Sequence, residues 1–301
     1  MNTCSLSFPA RVDLARLPTP VQPMRRAGQK LGIDLFVKRD DMTGVALSGN
    51  KIRKLEFVLA DALTQQADTI ITCGGAQSNH CRATAIASAM LGLSCRLLLR
   101  TPDPTRPPSA DGNILLDRLA GAEIVWITPE DYKHRDEFME QEGTSLAAEG
   151  RKPYLIPEGA SNALGAWGYI RAAEELVNDI ANLPGGLNRA TTIINAAGSG
   201  GTSAGLILGA KMLDLNVRIV SVNVSDDRDY FIKAIGNICE RAIADYQMKV
   251  DFYRDRDIEI LDGYVGRGYG KAQPAELEFL YETARTEGIF FDPVYTGKAF
   301  W

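Results

Sequence analysis

The sequence predicts an α/β protein whose mostly parallel sheets are covered by helices on both faces, giving three layers. Two observations predict this class. Apolar runs of strand length alternate along the chain with segments whose apolar residues recur at helical spacing. Such alternation places parallel strands side by side with the helices on the faces of the sheet. The chain has 301 residues, which is enough for a large core in one or two domains.

Six apolar runs predict the strands. The first four lie at 69–73, 95–99, 123–127 and 154–156, and two more lie at 192–195 and 217–222. Continuous apolar runs of this length are typical of parallel strands that are buried on both faces.

Four segments with helical spacing predict the helices that join these strands, namely 52–63, 85–90, 163–180 and 202–213. Residues 100–109 carry four prolines and predict a loop, because each proline fixes φ and removes a hydrogen-bond donor. A second break in the regular secondary structure is predicted at residues 183–186. Residues 295–301 read as the start of a further helix.

Composition excludes several classes of function. The net charge is −5 and the sequence contains no basic tract, so neither nucleic acid nor a membrane surface is an expected partner. No apolar run reaches the length of a membrane span. Residues 1–10 lack the charged and apolar regions of a signal peptide, so the expected location is the cytoplasm.

The cysteines and histidines argue against a metal site. The five cysteines form no CxxC pair, and only two histidines, His80 and His134, are present. We therefore expect reduced thiols in a cytosolic enzyme and no bound metal. The cysteines are Cys4, Cys73, Cys81, Cys95 and Cys239.

The first segment with chemical potential contains Lys51. A turn of small residues, Ser48, Gly49 and Asn50, opens an amphipathic helix and places Lys51 in its first turn. The helix dipole disfavours a cation there, so the pKa of the amine is expected to be low, which suits imine formation. Taken alone, an ordinary surface lysine on a helix explains this residue better.

The second segment follows a predicted strand and precedes a predicted helix. Gln77, Ser78 and Asn79 come after two glycines. Ligands bind at the carboxyl ends of parallel strands, and a helix N-terminus favours an anion such as a carboxylate. Simple capping of the helix by Ser78 or Asn79 is the alternative, but it accounts for one polar residue better than for three in a row.

The third segment, residues 195–202, is a glycine-rich connection between a predicted strand and a predicted helix. Its backbone N–H groups predict a cup for a phosphate. A tight structural turn or half of a dinucleotide site remains open, and a nucleotide-binding module is a weaker alternative for the whole chain. The full GxGxxG pattern and the lysine of a P-loop are both absent.

Two tyrosines stand out in glycine-containing segments. Tyr269 lies between Gly268 and Gly270, and Tyr295 lies within 292–298. A ring in such a setting is expected to face a cleft, although a tyrosine buried in a turn has equal weight.

Together these segments resemble the fold-type II pyridoxal-phosphate (PLP) enzymes that include D-cysteine desulfhydrase and 1-aminocyclopropane-1-carboxylate (ACC) deaminase. The motifs occur in the family order and cover nearly the whole chain. They are LPTP (17–20), VKRDD (37–41), SGNKIRKLEF (48–57), QSNH (77–80), EGASNALGAWGY (158–169), GSGGT (198–202) and DPVYTGK (292–298).

The resemblance implies a role for each candidate residue. Lys51 forms the Schiff base with PLP and moves the α-proton. Asn79 hydrogen-bonds the pyridine 3-oxygen. Ser78 and Gln77 face the substrate carboxylate, and Ser78 corresponds to a proposed nucleophile of ACC deaminase. Tyr295 lies by the cofactor ring, and Tyr269 is near the substrate as a possible acid or base. The phosphate is bound by Lys54, Gly198, Ser199, Gly200, Gly201 and Thr202.

Position 296 is expected to contact the substrate, as is Asn79, and the residue at 296 favours one substrate over another. ACC deaminases resemble DPVYEGK, whereas this sequence has Thr296 in place of the glutamate, as in D-cysteine desulfhydrase. The implied reaction is α,β-elimination on D-cysteine, which releases pyruvate, sulfide and ammonia. An L-cysteate lyase that releases sulfite, and an ACC deaminase, are the alternatives.

The resemblance also implies an architecture like that of the tryptophan synthase β-subunit, with PLP between two α/β domains. The smaller domain is expected at 47–161, and the larger at 1–46 plus 162–301. A homodimer is expected. Family members continue with a helix, a strand and a His-Thr-Gly-Gly turn that contacts the pyridine nitrogen, and this sequence lacks that turn. A PLP-binding protein impaired in catalysis is therefore a further alternative.

Overall fold

The computed structural model describes residues 6–301 and contains nine strands and eleven α-helices within that range. The strands are β1 (Val21–Pro23), β2 (Phe36–Lys38), β3 (Thr69–Gly75), β4 (Ser94–Arg100), β5 (Glu123–Ile127), β6 (Pro153–Leu155), β7 (Thr191–Ala197), β8 (Val217–Asn223) and β9 (Glu259–Leu261). The helices are α1 (Arg25–Leu31), α2 (Lys51–Thr64), α3 (Asn79–Met90), α4 (Gly112–Leu119), α5 (Arg135–Ala148), α6 (Ala163–Ala181), α7 (Gly201–Met212), α8 (Arg228–Tyr246), α9 (Arg254–Asp257), α10 (Pro274–Glu287) and α11 (Thr296–Phe300).

The chain divides into two compact units, each with its own sheet. The first unit comprises residues 6–17 and 40–168, and the second comprises 18–39 and 169–301. The sequence predicted 47–161 for the smaller domain. Residues before 47 join the first unit through side chains of α2. Glu56 accepts the N–H groups of Leu14 and Ala15 at 2.8 Å, and Arg53 forms a two-pronged bond with Asp40 at 2.8 and 2.9 Å.

The first unit contains a four-stranded parallel sheet in the order β5-β4-β3-β6. Successive side chains of a strand point to opposite faces. Ile70 accordingly packs with α2 and α3, through Leu55 and Ala83, whereas Ile71 packs with α5 through Met139. Helices on both faces explain why these strands are continuous apolar runs.

The second unit contains a three-stranded parallel sheet in the order β7-β8-β9, together with the antiparallel pair β1-β2. Strands β7 and β8 are paired in register from Thr191 with Val217 to Ala197 with Asn223. The strand predicted at 192–195 is confirmed, but burial on both faces is not. β7 lies at the edge of the sheet, and the side chain of Ile194 is 56% exposed.

The predicted α/β class with mostly parallel sheets is confirmed. All six predicted strands and all four predicted helices are present, and residues 101–111 form the expected proline-rich loop. The short strands β1, β2 and β9 were not predicted, because three residues are too few to establish a period. Within residues 6–301, no helix is both long enough and apolar enough to cross a membrane.

Candidate active site

Lys51 is the first residue of α2, directly after the turn of Ser48, Gly49 and Asn50. Its side chain is half-buried, and its amine donates to the side-chain oxygen of Asn50 at 3.0 Å. The left-handed φ of Gly49 (+105°) makes this sharp entry into the helix possible. The amine predicted to bind PLP thus lies at the N-terminus of α2, as the sequence indicated.

Lys54 lies one turn further along the same helix and is almost completely buried. Its amine donates to the hydroxyl of Ser161 at 3.1 Å, and it forms no ion pair in the described part of the chain. Burial, followed by the nearby charge of Lys51, lowers the pKa of Lys54 well below its usual range. A buried amine without a carboxylate is suited to an anion such as the phosphate of PLP.

His80 is buried against this pair of lysines. The hydroxyl of Thr72 donates to the carbonyl of Ile156 at 2.8 Å, so it accepts from Nε2 of His80, also at 2.8 Å. The proton therefore resides on Nε2, and Nδ1 is a buried acceptor with no partner within residues 6–301. Burial, then the charges of Lys51 and Lys54, lowers the pKa of His80 well below 6.5. A neutral imidazole adds no positive charge of its own beside the two lysines.

The turn between β3 and α3 carries the three polar residues that the sequence singled out. Ser78 caps α3, and its hydroxyl accepts the N–H of Cys81 at 3.2 Å. Gly74 has room for no side chain, because a Cβ would come within 2.6 Å of the Ser78 side chain. Ser78 therefore caps α3 and packs directly against the backbone of Gly74, and its contact with a substrate carboxylate stays a prediction.

The side chains of Gln77 and Asn79 both form hydrogen bonds with residues at the start of α4. The Gln77 amide nitrogen donates to Asp111 at 3.0 Å, and its side-chain oxygen accepts the N–H of Asn113 at 2.8 Å. The side-chain oxygen of Asn79 accepts from Arg82 and from Asn113. The contact of Gln77 with a substrate carboxylate stays a prediction, since its side chain is engaged with α4.

In the second unit, the loop of Gly198, Ser199 and Gly200 joins β7 to α7, as predicted. Gly200 precedes the helix with a left-handed φ of +86°. A Cβ on Gly198 would lie 2.8 Å from the ring of Tyr295, and a Cβ on Gly200 would lie 3.0 Å from Ile235. The loop backbone is thus packed where side chains would not fit, and its position at the N-terminus of α7 suits the cradling of a phosphate.

A closed hydrogen-bond ring braces the start of α7 against the sheet. Ser203 donates to the side-chain oxygen of Asn195 at 2.8 Å, and Ser221 donates to Ser203 at 2.8 Å. The amide nitrogen of Asn195 completes the ring with a bond to Ser221 at 3.2 Å. This ring fixes the direction in which the loop points the N-terminus of α7.

The two candidate tyrosines meet within the second unit. Their hydroxyls are hydrogen-bonded to each other, and their rings lie edge to face with centroids 5.8 Å apart. Asp292 orients the Tyr295 turn by accepting the N–H groups of Val294, Tyr295 and Thr296 at 2.7 to 2.9 Å. Thr296, predicted to contact substrate, exchanges hydrogen bonds with Asp292 through its hydroxyl.

Lys298 was not singled out from the sequence, although it lies within the DPVYTGK motif. It is 1% exposed, and its amine donates to the carbonyls of Val265 and Gly268. Those carbonyls belong to the loop that carries Tyr269. Lys298 therefore joins α11, which starts after Tyr295, to the segment that presents the second tyrosine.

Comparison with known proteins decides the family. Residues 12–301 match the family described as "Pyridoxal-phosphate dependent enzyme". The chain belongs to the PLP-dependent enzyme family. The family assignment, the predicted enzyme class and the predicted PLP cofactor are all confirmed by this match and by the relatives that follow.

Two curated relatives place the chain within the PLP-dependent enzymes. It is 42% identical to the "Bifunctional D-cysteine desulfhydrase/1-aminocyclopropane-1-carboxylate deaminase, mitochondrial" of Arabidopsis thaliana, over 95% of this chain and 71% of that protein. It is 38% identical to the "D-cysteine desulfhydrase" of Salmonella choleraesuis, over 97% of this chain and 86% of that protein. The protein is therefore a PLP-dependent lyase of the group that contains D-cysteine desulfhydrase and ACC deaminase.

A solved structure gives the same result for the fold. The crystal structure described as that of "the ACC deaminase homologue" has a TM-score of 0.87 and 37% identity, covering 97% of this chain and 85% of that one. The predicted fold-type II architecture is thereby confirmed. The substrate is not decided by these relatives, because their names include both D-cysteine and ACC.

The cysteines and candidate metal ligands take no visible part in this site. The thiols of Cys73, Cys81, Cys95 and Cys239 are free and buried, whereas Cys4 lies outside the described residues. Burial raises the pKa of Cys73 and of Cys95 to about 12, so both thiols stay protonated. No group of three potential metal ligands comes together within residues 6–301.

Proposed function

We propose that this lyase catalyses α,β-elimination on D-cysteine, in which D-cysteine and water yield pyruvate, sulfide and ammonia. The observation that carries the proposal is the lysine pair of α2. Lys51 presents a half-buried amine at the N-terminus of α2. Lys54 is buried beside it, without a carboxylate partner in the described part of the chain. The Lys51 amine is accessible for covalent attachment, and the Lys54 amine is suited to binding an anion.

The residues that hold PLP follow from this chemistry. Lys51 would hold the cofactor through its amine, and Lys54 would neutralise the phosphate together with the Gly198, Ser199, Gly200, Gly201 and Thr202 loop. Asn79 would donate to an oxygen of the pyridine ring, and Tyr295 would lie against that ring. When bound, PLP supplies a sink for the electrons released at the substrate Cα.

The remaining steps belong to the side chains of the chain itself. The Lys51 amine would remove the proton from Cα of the substrate as a general base. The Ser78 hydroxyl, fixed by the Cys81 N–H at 3.2 Å, would orient the substrate carboxylate. The Tyr269 hydroxyl would donate a proton to the departing sulfur.

Thr296 supports D-cysteine over ACC. Its hydroxyl exchanges hydrogen bonds with Asp292, so this position carries no charge of its own toward a substrate. ACC deaminases have a glutamate there by resemblance, and such a carboxylate would change the charge available for opening the cyclopropane ring.

A substrate panel tests the proposal. The holoenzyme is assayed for pyruvate with D-cysteine, L-cysteine, L-cysteate and ACC, and for sulfide or sulfite as the co-product. We expect equal amounts of sulfide and pyruvate from D-cysteine, and a large loss of both in Lys51→Ala. Pyruvate with sulfite from L-cysteate, or 2-oxobutyrate from ACC, in the absence of sulfide from D-cysteine, would identify the rival substrate instead.

A further inference from the structure

The carboxamide of Asn79 is held in one orientation by two donors. Its oxygen accepts from Nη1 of Arg82 at 3.1 Å and from the amide nitrogen of Asn113 at 2.9 Å. A guanidinium has donors only, so the Asn79 atom that faces Arg82 must be the oxygen. The amide nitrogen of Asn79 lies on the opposite side of the planar group, where it remains as the donor.

The same reasoning fixes the orientation of the Asn113 carboxamide. Its side-chain oxygen accepts from Nη1 of Arg82 at 3.1 Å, so its amide nitrogen must face the other way. That nitrogen donates both to the Asn79 oxygen and to the backbone carbonyl of Gln77, each at 2.9 Å. Neither asparagine can rotate by half a turn without placing an N–H group against the guanidinium.

Arg82 also reaches the turn that precedes Lys51. Its Nη2 donates to the carbonyl of Ser48 at 2.6 Å. One guanidinium therefore joins the segment that presents Lys51 to the turn that presents Asn79. The first turn of α4 braces this junction through the Asn113 N–H, which donates to the Gln77 side chain at 2.8 Å.

We propose that Arg82 and Asn113 are positioning residues that fix Asn79 as a hydrogen-bond donor toward the cofactor and hold it in register with Lys51. This inference rests on the proposed function, in which Asn79 meets an oxygen of the PLP ring. It assigns roles to an arginine of α3 and to an asparagine of α4 that do not themselves contact ligand.

The replacement Asn113→Asp isolates the orientation effect. An aspartate has nearly the same shape, but its two oxygens cannot donate to Asn79. The new carboxylate instead faces the Asn79 oxygen, and its repulsion opposes the orientation that Arg82 imposes. The Asn79 nitrogen is then no longer held firmly toward the ligand oxygen, and the affinity for PLP should fall about tenfold or more.

The experiment measures binding rather than turnover. Apoprotein is titrated with PLP by visible absorbance, and the pH midpoint of the absorbance change is recorded for the loaded protein, with thermal unfolding measured alongside. Asn113→Asp is expected to weaken PLP binding about tenfold and to shift the pH midpoint. Asn182→Asp is the matched control, because Asn182 is exposed and its amide donates only to the Asn178 carbonyl at 2.8 Å.

A second pair of variants separates positioning from general stability. In an Asn79→Ala background, Asn113→Asp should cause less than about a twofold further loss of affinity, since its target is gone. An equal loss in both backgrounds overturns the proposal, as does an unchanged affinity and pH midpoint in Asn113→Asp alone. Should Asn113→Asp fail to fold, Arg82→Lys serves in its place, because it keeps the charge but cannot reach Ser48, Asn79 and Asn113 together.

Failure of this inference is distinguishable from failure of the proposed function. A wild-type protein that gains no visible absorbance with PLP contradicts the proposed function itself. A wild-type protein that binds PLP, with an Asn113→Asp variant that binds it equally well, contradicts only the roles of Arg82 and Asn113.

Discussion

The hydroxyl of Tyr269 is hydrogen-bonded to the hydroxyl of Tyr295, although the two residues lie on separate segments of the second unit. One segment is the loop held by the buried amine of Lys298, and the other is the turn held by the carboxylate of Asp292. A buried amine and a partly buried carboxylate thus bring the phenols together. Because each hydroxyl has one proton, only one phenol of the pair donates to the other.

Replacing Lys298 by methionine should separate the tyrosines without introducing a larger side chain. The carbonyls of Val265 and Gly268 lose their donor, the loop relaxes, and turnover of D-cysteine is expected to fall about tenfold or more through misplacement of Tyr269. The values of kcat and KM are measured for Lys298→Met with and without Tyr269→Phe. Lys133→Met, at an exposed lysine paired with Glu130, is the control and should match wild type.

Comparing the effect of Lys298→Met in the wild-type and Tyr269→Phe backgrounds shows how Lys298 acts. If it acts through Tyr269, Lys298→Met should add little to the loss already caused by Tyr269→Phe. A full further loss in the double variant would instead mean that Lys298 supports the fold in general.

Binding of an anion beside Lys54 should be accompanied by uptake of a proton. Burial and Lys51 lower the pKa of Lys54, so the free protein releases the proton of this amine more readily, and a neighbouring phosphate dianion raises the pKa again. Calorimetric titration of the apoprotein with inorganic phosphate, in two buffers of different ionisation enthalpy, measures the number of protons. We expect net uptake in wild type and none in Lys54→Met. Equal uptake in both proteins would rule out Lys54 as the group that titrates.

Asp117 should lower the stability of the protein as pH rises. Its carboxyl is fully buried without a hydrogen-bond partner among the residues that the structure describes, and burial raises its pKa from 3.8 to about 7, while Arg82 acts in the opposite direction. The buried thiols of Cys81 and Cys95 also face it, and both stay protonated. Because the folded state holds the proton more tightly than the unfolded state, the free energy of unfolding decreases between about pH 4 and pH 7.

The replacement Asp117→Asn tests whether ionisation of Asp117 lowers the free energy of unfolding as pH rises. It should raise the free energy of unfolding by about 1–3 kcal/mol above pH 7, and by much less near pH 4, where the aspartate is protonated in both states. Denaturant unfolding at several pH values provides the measurement. A stabilisation that is the same at both ends of the range would show that ionisation of Asp117 is not its cause.

The sequence predicts the parts of the site that depend on local pattern. Strand, short polar turn and helix follow one another at Gln77 and again at Gly198, so the turns are visible as interruptions between two kinds of periodicity. The same holds for Lys51, because a run of small residues directly precedes a helical pattern. These elements were found from the sequence because every signal they need lies within about ten residues.

The supporting side chains were missed because their partners are distant in sequence. Asn113 bonds to Asn79 across 34 positions, and Lys298 bonds to Val265 across 33. No periodicity or spacing in a single sequence links such pairs. Buried polar residues like these are identified only when the fold shows which carbonyl or amide each one satisfies.

Chemical trapping shows whether the Lys51 amine carries the cofactor. The apoprotein is loaded with PLP, reduced with borohydride, digested and mapped by mass spectrometry. We expect the reduced cofactor to be attached to Lys51 alone, and Lys51→Ala to acquire no label while remaining folded. Attachment at Lys54 or at another lysine in the wild-type protein, or no attachment at all, would mean that Lys51 does not hold PLP.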